Sequence, residues 1–184
     1  MSESYLTQTL TATAAKTNKT GDRSMAKYLF LFPRPGYMTA ITVRHTFGWK
    51  MEGVLKPYLE EILDEPIVKS GSRFDTIDFK GAYWNVELKS RPAISEKGYK
   101  QTSDTYNTWY LPTSKETLAE SSDGELIFFY YWEGDNSLWY VKYDKELFST
   151  FKRERLWFHP TRQEHWYVPK SAFERLDIAI ETHA

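Results

Sequence analysis

The residues with the plainest chemical potential lie between Gly71 and Arg91. Glu87-Leu88-Lys89 is an acid-x-base triplet, and Asp75 and Asp78 precede it. Side chains on a strand alternate faces. Glu87 and Lys89 therefore point one way, while Val86 and Leu88 point the other and suit a core. An antiparallel partner strand brings an aspartate across from Glu87. Two carboxylates of this kind suit a hard cation such as Mg²⁺, with Mn²⁺ as a substitute. Such a cation stabilises charge on a phosphoryl oxygen and lowers the pKa of a bound water. The lysine beside it orients or deprotonates that water.

A hairpin positions these groups. Phe74, Ile77 and Phe79 supply one strand, Lys80-Gly81-Ala82 the turn, and Tyr83 to Leu88 the other strand. A turn centred on Gly81 puts Asp75 level with Glu87 and leaves Asp78 nearer the turn, opposite Trp84. Reach favours Asp75. Asp78 stays open as the substitute, because a slip of one residue flips every side chain to the other face.

This stretch resembles the signature of the PD-(D/E)XK nuclease superfamily: one Asp, roughly ten residues, then Glu-x-Lys on the next strand. It is most similar to members, phage or viral ones among them, with an Asp-x-x-Asp run before Glu-Leu-Lys-Ser. Phe74, not proline, precedes Asp75, which is a departure. The resemblance implies a restriction-endonuclease-like α/β core, with a mixed central sheet of about five strands flanked by helices. It implies a Mg²⁺-dependent endonuclease with DNA as the main substrate. Asp75, Glu87 and the Leu88 carbonyl would hold the metal, and Lys89 would handle the water. A glutamate on the preceding helix often assists in this superfamily; Glu52, Glu60 and Glu61 are open, and Glu52, beside the Met51/Leu55 stripe, is favoured. Tyr106 and Lys115 carry over as nucleic-acid contacts, Lys115 on a phosphate. A double-strand cutter needs two active sites, hence a homodimer as a common solution. The competing expectation is a catalytically silent nucleic-acid- or protein-binding module on the same fold.

The remaining chain is organised around that hairpin. Its 184 residues carry 24 Lys+Arg, 25 Asp+Glu and no cysteine. The length is that of one domain. Lack of cysteine excludes disulfides and thiolate metal sites and fits a reducing, intracellular setting. A net charge of -1 argues against a bulk polyanion binder, so a nucleic-acid site would be a local patch. No apolar run reaches membrane-spanning length, and the first residues lack the apolar block of a secretory signal. Residues 1–24 read as a disordered arm and 25–184 as a single domain. Tyr28–Phe32 and Met38–His45 read as short strands. Phe47 to Leu63 reads as a helix interrupted by Pro57.

After the hairpin, Pro92 ends the strand. Arg91 shares the parity of Glu87 and Lys89 and can take a phosphate through its fork. Tyr106 to Lys115 reads as an aromatic strand running into a helix capped by Thr113 or Ser114. Glu125–Tyr131 and Leu138–Tyr143 form a hairpin, and Asp144–Phe151 a short helix. Lys152, Arg153 and Arg155 precede Trp157, Phe158, Trp166 and Tyr167; cations interleaved with rings suit a nucleic-acid surface. A last short helix follows near Ser171.

Overall fold

A computed structural model describes residues 35–70, 77–121, 124–158 and 161–181. The expected arm, the strand at Tyr28–Phe32 and Asp75 lie outside the described residues. The chain is a mixed α/β structure dominated by strands. It has a six-stranded mixed sheet, a three-stranded antiparallel sheet and, among the described residues, three helices. None of those helices is long and apolar enough to cross a membrane.

Helix α1 runs from Pro35 to Leu63. Proline at the first helical position loses no hydrogen bond, because that N–H has no intrahelical partner in any case. The strand expected at Met38–His45 is instead the front of this helix. Its β-branched Ile41, Thr42 and Val43 carry only a weak preference, which the surrounding chain overrides. Pro57 sits inside the helix without ending it. Met51, Leu55 and Leu59, at four-residue spacing, are buried.

The six-stranded sheet has the order β1-β2-β3-β5-β6-β9. Its strands are β1 (Val68–Lys69), β2 (Phe79–Lys80), β3 (Trp84–Arg91), β5 (Glu125–Trp132), β6 (Ser137–Lys142) and β9 (Glu174–Leu176). Strands β1, β2 and β3 form an antiparallel meander, and β5 runs parallel to β3. That parallel step needs a crossover. It is made through β4 (Thr108–Pro112), a 3-10 turn at Thr113–Lys115 and helix α2 (Glu116–Ser121). Asp144 caps helix α3 (Lys145–Ser149), its carboxylate accepting from the Leu147 amide at 2.7 Å.

The expectation of one sheet of about five strands falls short. The basic and aromatic segment at 152–169 forms β7 (Lys152–Phe158) and β8 (Thr161–Pro169), and β8 pairs with β4 in a second sheet. Trp166 and Val168, two residues apart on β8, are buried on the face it shares with the large sheet. In place of the short helix expected near Ser171 there is a 3-10 turn, Lys170–Ala172, leading into β9.

The two faces of the large sheet have separate cores. Helix α1 covers one, where Met51, Leu55 and Leu59 pack with Phe79, Val86, Leu88 and Ile127. The small sheet covers the other, where Trp109, Leu111, Trp166 and Val168 pack with Phe128, Tyr130 and Trp132.

Candidate functional site

The β2–β3 hairpin determines which acids meet. Phe79 pairs with Val86 and Lys80 with Asn85. The same register carries Asp78 opposite Glu87, and the Asp78 amide donates to the Val86 carbonyl at 3.1 Å. Asp78 is thus not opposite Trp84, as a turn centred on Gly81 would have it. The turn lies further along, at Ala82–Tyr83.

A residue that sequence reading passed over explains the shift. Glu65, only 8% exposed, lies at the end of α1 and points its carboxylate into the turn. It accepts from the backbone amides of Ala82 (3.1 Å), Tyr83 (3.0 Å) and Trp84 (3.0 Å). Charge-assisted bonds of this kind are about twice as strong as neutral ones. A Cβ on residue 81 would come 2.1 Å from Glu65 Oε1, so Gly81 is what lets the carboxylate approach. The signal in the sequence was the glycine; its partner sixteen residues upstream carried no local mark.

Parity on β3 is as expected. Val86 and Leu88 face the helix core. Glu87, Lys89 and Arg91 pair in register with Phe128, Tyr130 and Trp132, on the face covered by the small sheet. Glu87 is 3% exposed. Its Oε1 is bonded by the Lys89 ammonium, and Lys115 Nζ lies 2.7 Å from Oε2. The Lys115 contact is an ion pair; no hydrogen bond of proper angle reaches Oε2. Lys115 comes from the 3-10 turn between β4 and α2, so the small sheet delivers it. Expected on a phosphate, it stands on Glu87 in this state.

Asp78 Oδ2 accepts from the Leu88 amide at 2.7 Å. Burial, then the neighbouring Glu87 charge, pushes its pKa up from 3.8 to about 6, against the pull of Lys89. Glu87 moves the other way. Burial alone would raise it, but Lys89 and Lys115 outweigh burial and hold the carboxyl below its ordinary value. Burial likewise works against the Lys89 charge, yet Glu87 and Asp78 overcome it and raise the lysine. Lys89 is therefore an ammonium donor here, not a free amine.

Two facing carboxylates, one of them strained by the other's charge, are a donor set that fits a hard divalent cation. Among the described residues no group of three or more His, Cys, Asp or Glu side chains is placed to hold a metal ion.

The other expected residues divide. Glu52 Oε2 is ion-paired with Lys69 at 2.7 Å, and its charge still reaches Asp78. Glu60 is bound to Lys56 and the Ile67 amide and does not join the cluster. Arg91 lies at the end of β3, its Nε donating to Tyr130 Oη at 2.9 Å. Tyr106, 50% exposed, places its ring 6.1 Å from that of Trp132. Lys152, Arg153 and Arg155 stand apart on β7. Lys152 caps the Tyr167 ring and pairs with Glu154, while Arg153 forks onto Glu116 at 2.6 and 3.0 Å. His165 is a further polar residue on this side of the large sheet. It is buried on β8, its Nδ1 is 3.1 Å from the Gln163 carbonyl, and burial lowers its pKa.

No family model matches the chain, and neither a curated protein nor a solved structure matches it.

Proposed function

We propose that this chain is a divalent-metal-dependent nuclease of the PD-(D/E)XK type, hydrolysing phosphodiester bonds in DNA, on a restriction-endonuclease-like core. The observation that carries the reading is the register of β2 on β3, with Asp78 opposite Glu87 and Lys89 on the same face as Glu87. The order of helix, three-stranded meander, helix and parallel strand supports it.

In this reading Asp78 and Glu87 hold Mg²⁺ or Mn²⁺, with the Leu88 carbonyl as a further oxygen ligand. When bound, the cation supplies positive charge against the phosphoryl oxygens. Lys89, kept protonated by the two acids, donates a hydrogen bond that orients the attacking water or steadies the phosphate. Lys115 neutralises the second oxygen of Glu87 and holds the cluster closed toward the small sheet. Glu52 adds negative charge from behind Asp78.

A second reading has a specific observation behind it. Both Glu87 oxygens already have a lysine, so the cluster is neutralised without a metal. That favours a silent nucleic-acid-binding module.

The test is cleavage of labelled linear, nicked, single-stranded and four-way-junction DNA with Mg²⁺, Mn²⁺ or EDTA. Wild type is compared with Lys89→Ala and Asp78→Ala. Metal-dependent cutting lost in both variants is expected. Undiminished cutting by either variant sinks the mechanism, and salt-sensitive binding without cutting selects the second reading.

A further inference from the structure

We propose that Arg91, with Tyr106, Tyr130 and Trp132 around it, forms an anion subsite for the phosphate next to the one that reacts. The protein then engages a nucleic-acid strand through consecutive phosphates. The inference rests on the nuclease reading for what the strand is doing there, but its chemistry stands on Arg91 alone.

Arg91 is a partly buried cation whose surroundings are aromatic. Its Nε is held by Tyr130 Oη, and its Cζ lies 5.6 Å from the Tyr130 ring centroid. Among the described residues no carboxylate is ion-paired with it. Glu133, whose backbone amide donates to the Arg91 carbonyl at 3.0 Å, has its own carboxylate on the Ala93 amide at 2.7 Å. Burying a guanidinium without a counter-charge is expensive. Anchoring only Nε leaves the two terminal nitrogens as the fork that matches a phosphate.

Position supports the assignment. Lys89 and Arg91 are two residues apart on one face of β3, so their Cα atoms are separated by about 6.6 Å. That is comparable to the step between neighbouring phosphates along one strand. Tyr106 provides an exposed ring at the rim. The loop before it is pinned by Ser103 Oγ on Asp135 at 2.6 Å and Lys170 on Asp104 at 2.5 Å. The Trp109 indole donates to the Tyr106 carbonyl at 3.2 Å. A ring held in this way can stack on a base whose phosphate is on Arg91.

Two readouts separate this proposal from the nuclease reading. In the first, the full chain is titrated with thymidine trinucleotide in EDTA while the Arg91 Nε–H resonance is followed by NMR. A saturable shift is expected, together with weaker trinucleotide binding by Arg91→Ala; no shift at Arg91 overturns the subsite. In the second, single uncharged methylphosphonates are placed in turn along a short DNA strand and cleavage with Mg²⁺ is measured. One position beside the scissile phosphate should lower wild-type cleavage about ten- to a hundredfold, the weight of a charge-assisted hydrogen bond. Arg91→Ala should be lowered by a similar factor on unmodified strand and be indifferent to that methylphosphonate. Equal sensitivity of wild type and Arg91→Ala at every position overturns the proposal. An Arg91 shift with no cleavage by wild type retains the subsite and removes the nuclease.

Discussion

The two faces of strand β3 are built from neighbouring residues and live under different rules. Toward α1, Val86 and Leu88 meet Met51, Leu55, Leu59 and Phe79 in a core that is almost wholly hydrocarbon. Toward the small sheet, Glu87, Lys89 and Arg91 stand among Phe128, Tyr130 and Trp132. The first face needs only volume and shape. The second needs every charge answered: Glu87 by two lysines, Lys89 by two acids, Arg91 by phenol and ring. Aromatic residues suit this second face, because they bury large areas while offering hydroxyl groups and π-faces to polar neighbours. Both faces have a buried core, but only the face toward the small sheet also carries a cluster of charges. The charged face also keeps unfavourable terms at Asp78: its burial, then the repulsion of Glu87 and, more weakly, of Glu52.

The largest effect should follow from Glu87→Ala. It leaves Lys89 and Lys115 close together and partly buried without their shared counter-charge. Breaking a buried pair in this way costs about 3–5 kcal/mol. Urea unfolding should show that loss, and metal-dependent cutting should vanish even under conditions where the variant is folded. Next is Leu59→Ala on the helix side, which leaves a cavity costing about 2–4 kcal/mol. Cutting per folded molecule should be retained. Loss of cutting at full folding would mean that the two faces are not separate.

Asp78→Asn sharpens the contrast because its sign is opposite. Asparagine keeps an acceptor for the Leu88 amide and removes the repelling charge. The folded-state pKa of Asp78 is raised from 3.8 to about 6, so the native state binds more protons than the unfolded chain across that window. Native stability therefore falls as pH rises from about 4 to 6, and the penalty is complete above it. In EDTA, Asp78→Asn should be more stable than wild type by about 1–3 kcal/mol at pH 8, and indistinguishable near pH 4. Glu87 is held below its ordinary value by the lysines, so it titrates in a lower window than Asp78. Added Mg²⁺ should stabilise wild type and not the variant. A pH-independent difference would break the account of the Asp78–Glu87 repulsion.

The smallest effect belongs to Lys152→Ala. Its pairing with Glu154 and its place over Tyr167 are exposed, and such contacts are worth about 0–1 kcal/mol. Cleavage should be nearly unchanged at low salt. A large loss of DNA binding would extend the functional surface onto β7.

The sequence alone determined the periodic features of this protein. Alternation along Val86 to Arg91 sorts charge from hydrocarbon, because strand geometry has a period of two and needs no distant information. The stripe of Met51, Leu55 and Leu59, the short helix after Asp144 and the hairpin at 125–142 were legible for similar local reasons. Tertiary structure decided the rest. The front of α1 overrode its β-branched residues, and residues 152–169 built a second sheet whose partner, β4, lies some fifty residues earlier. The hairpin turn is held by the Glu65 carboxylate, which accepts from three turn amides, in the register that sets Asp78 against Glu87. Lys115 reaches Glu87 only because the small sheet packs on the large one. These are contacts between segments far apart in the chain, and no local pattern encodes them.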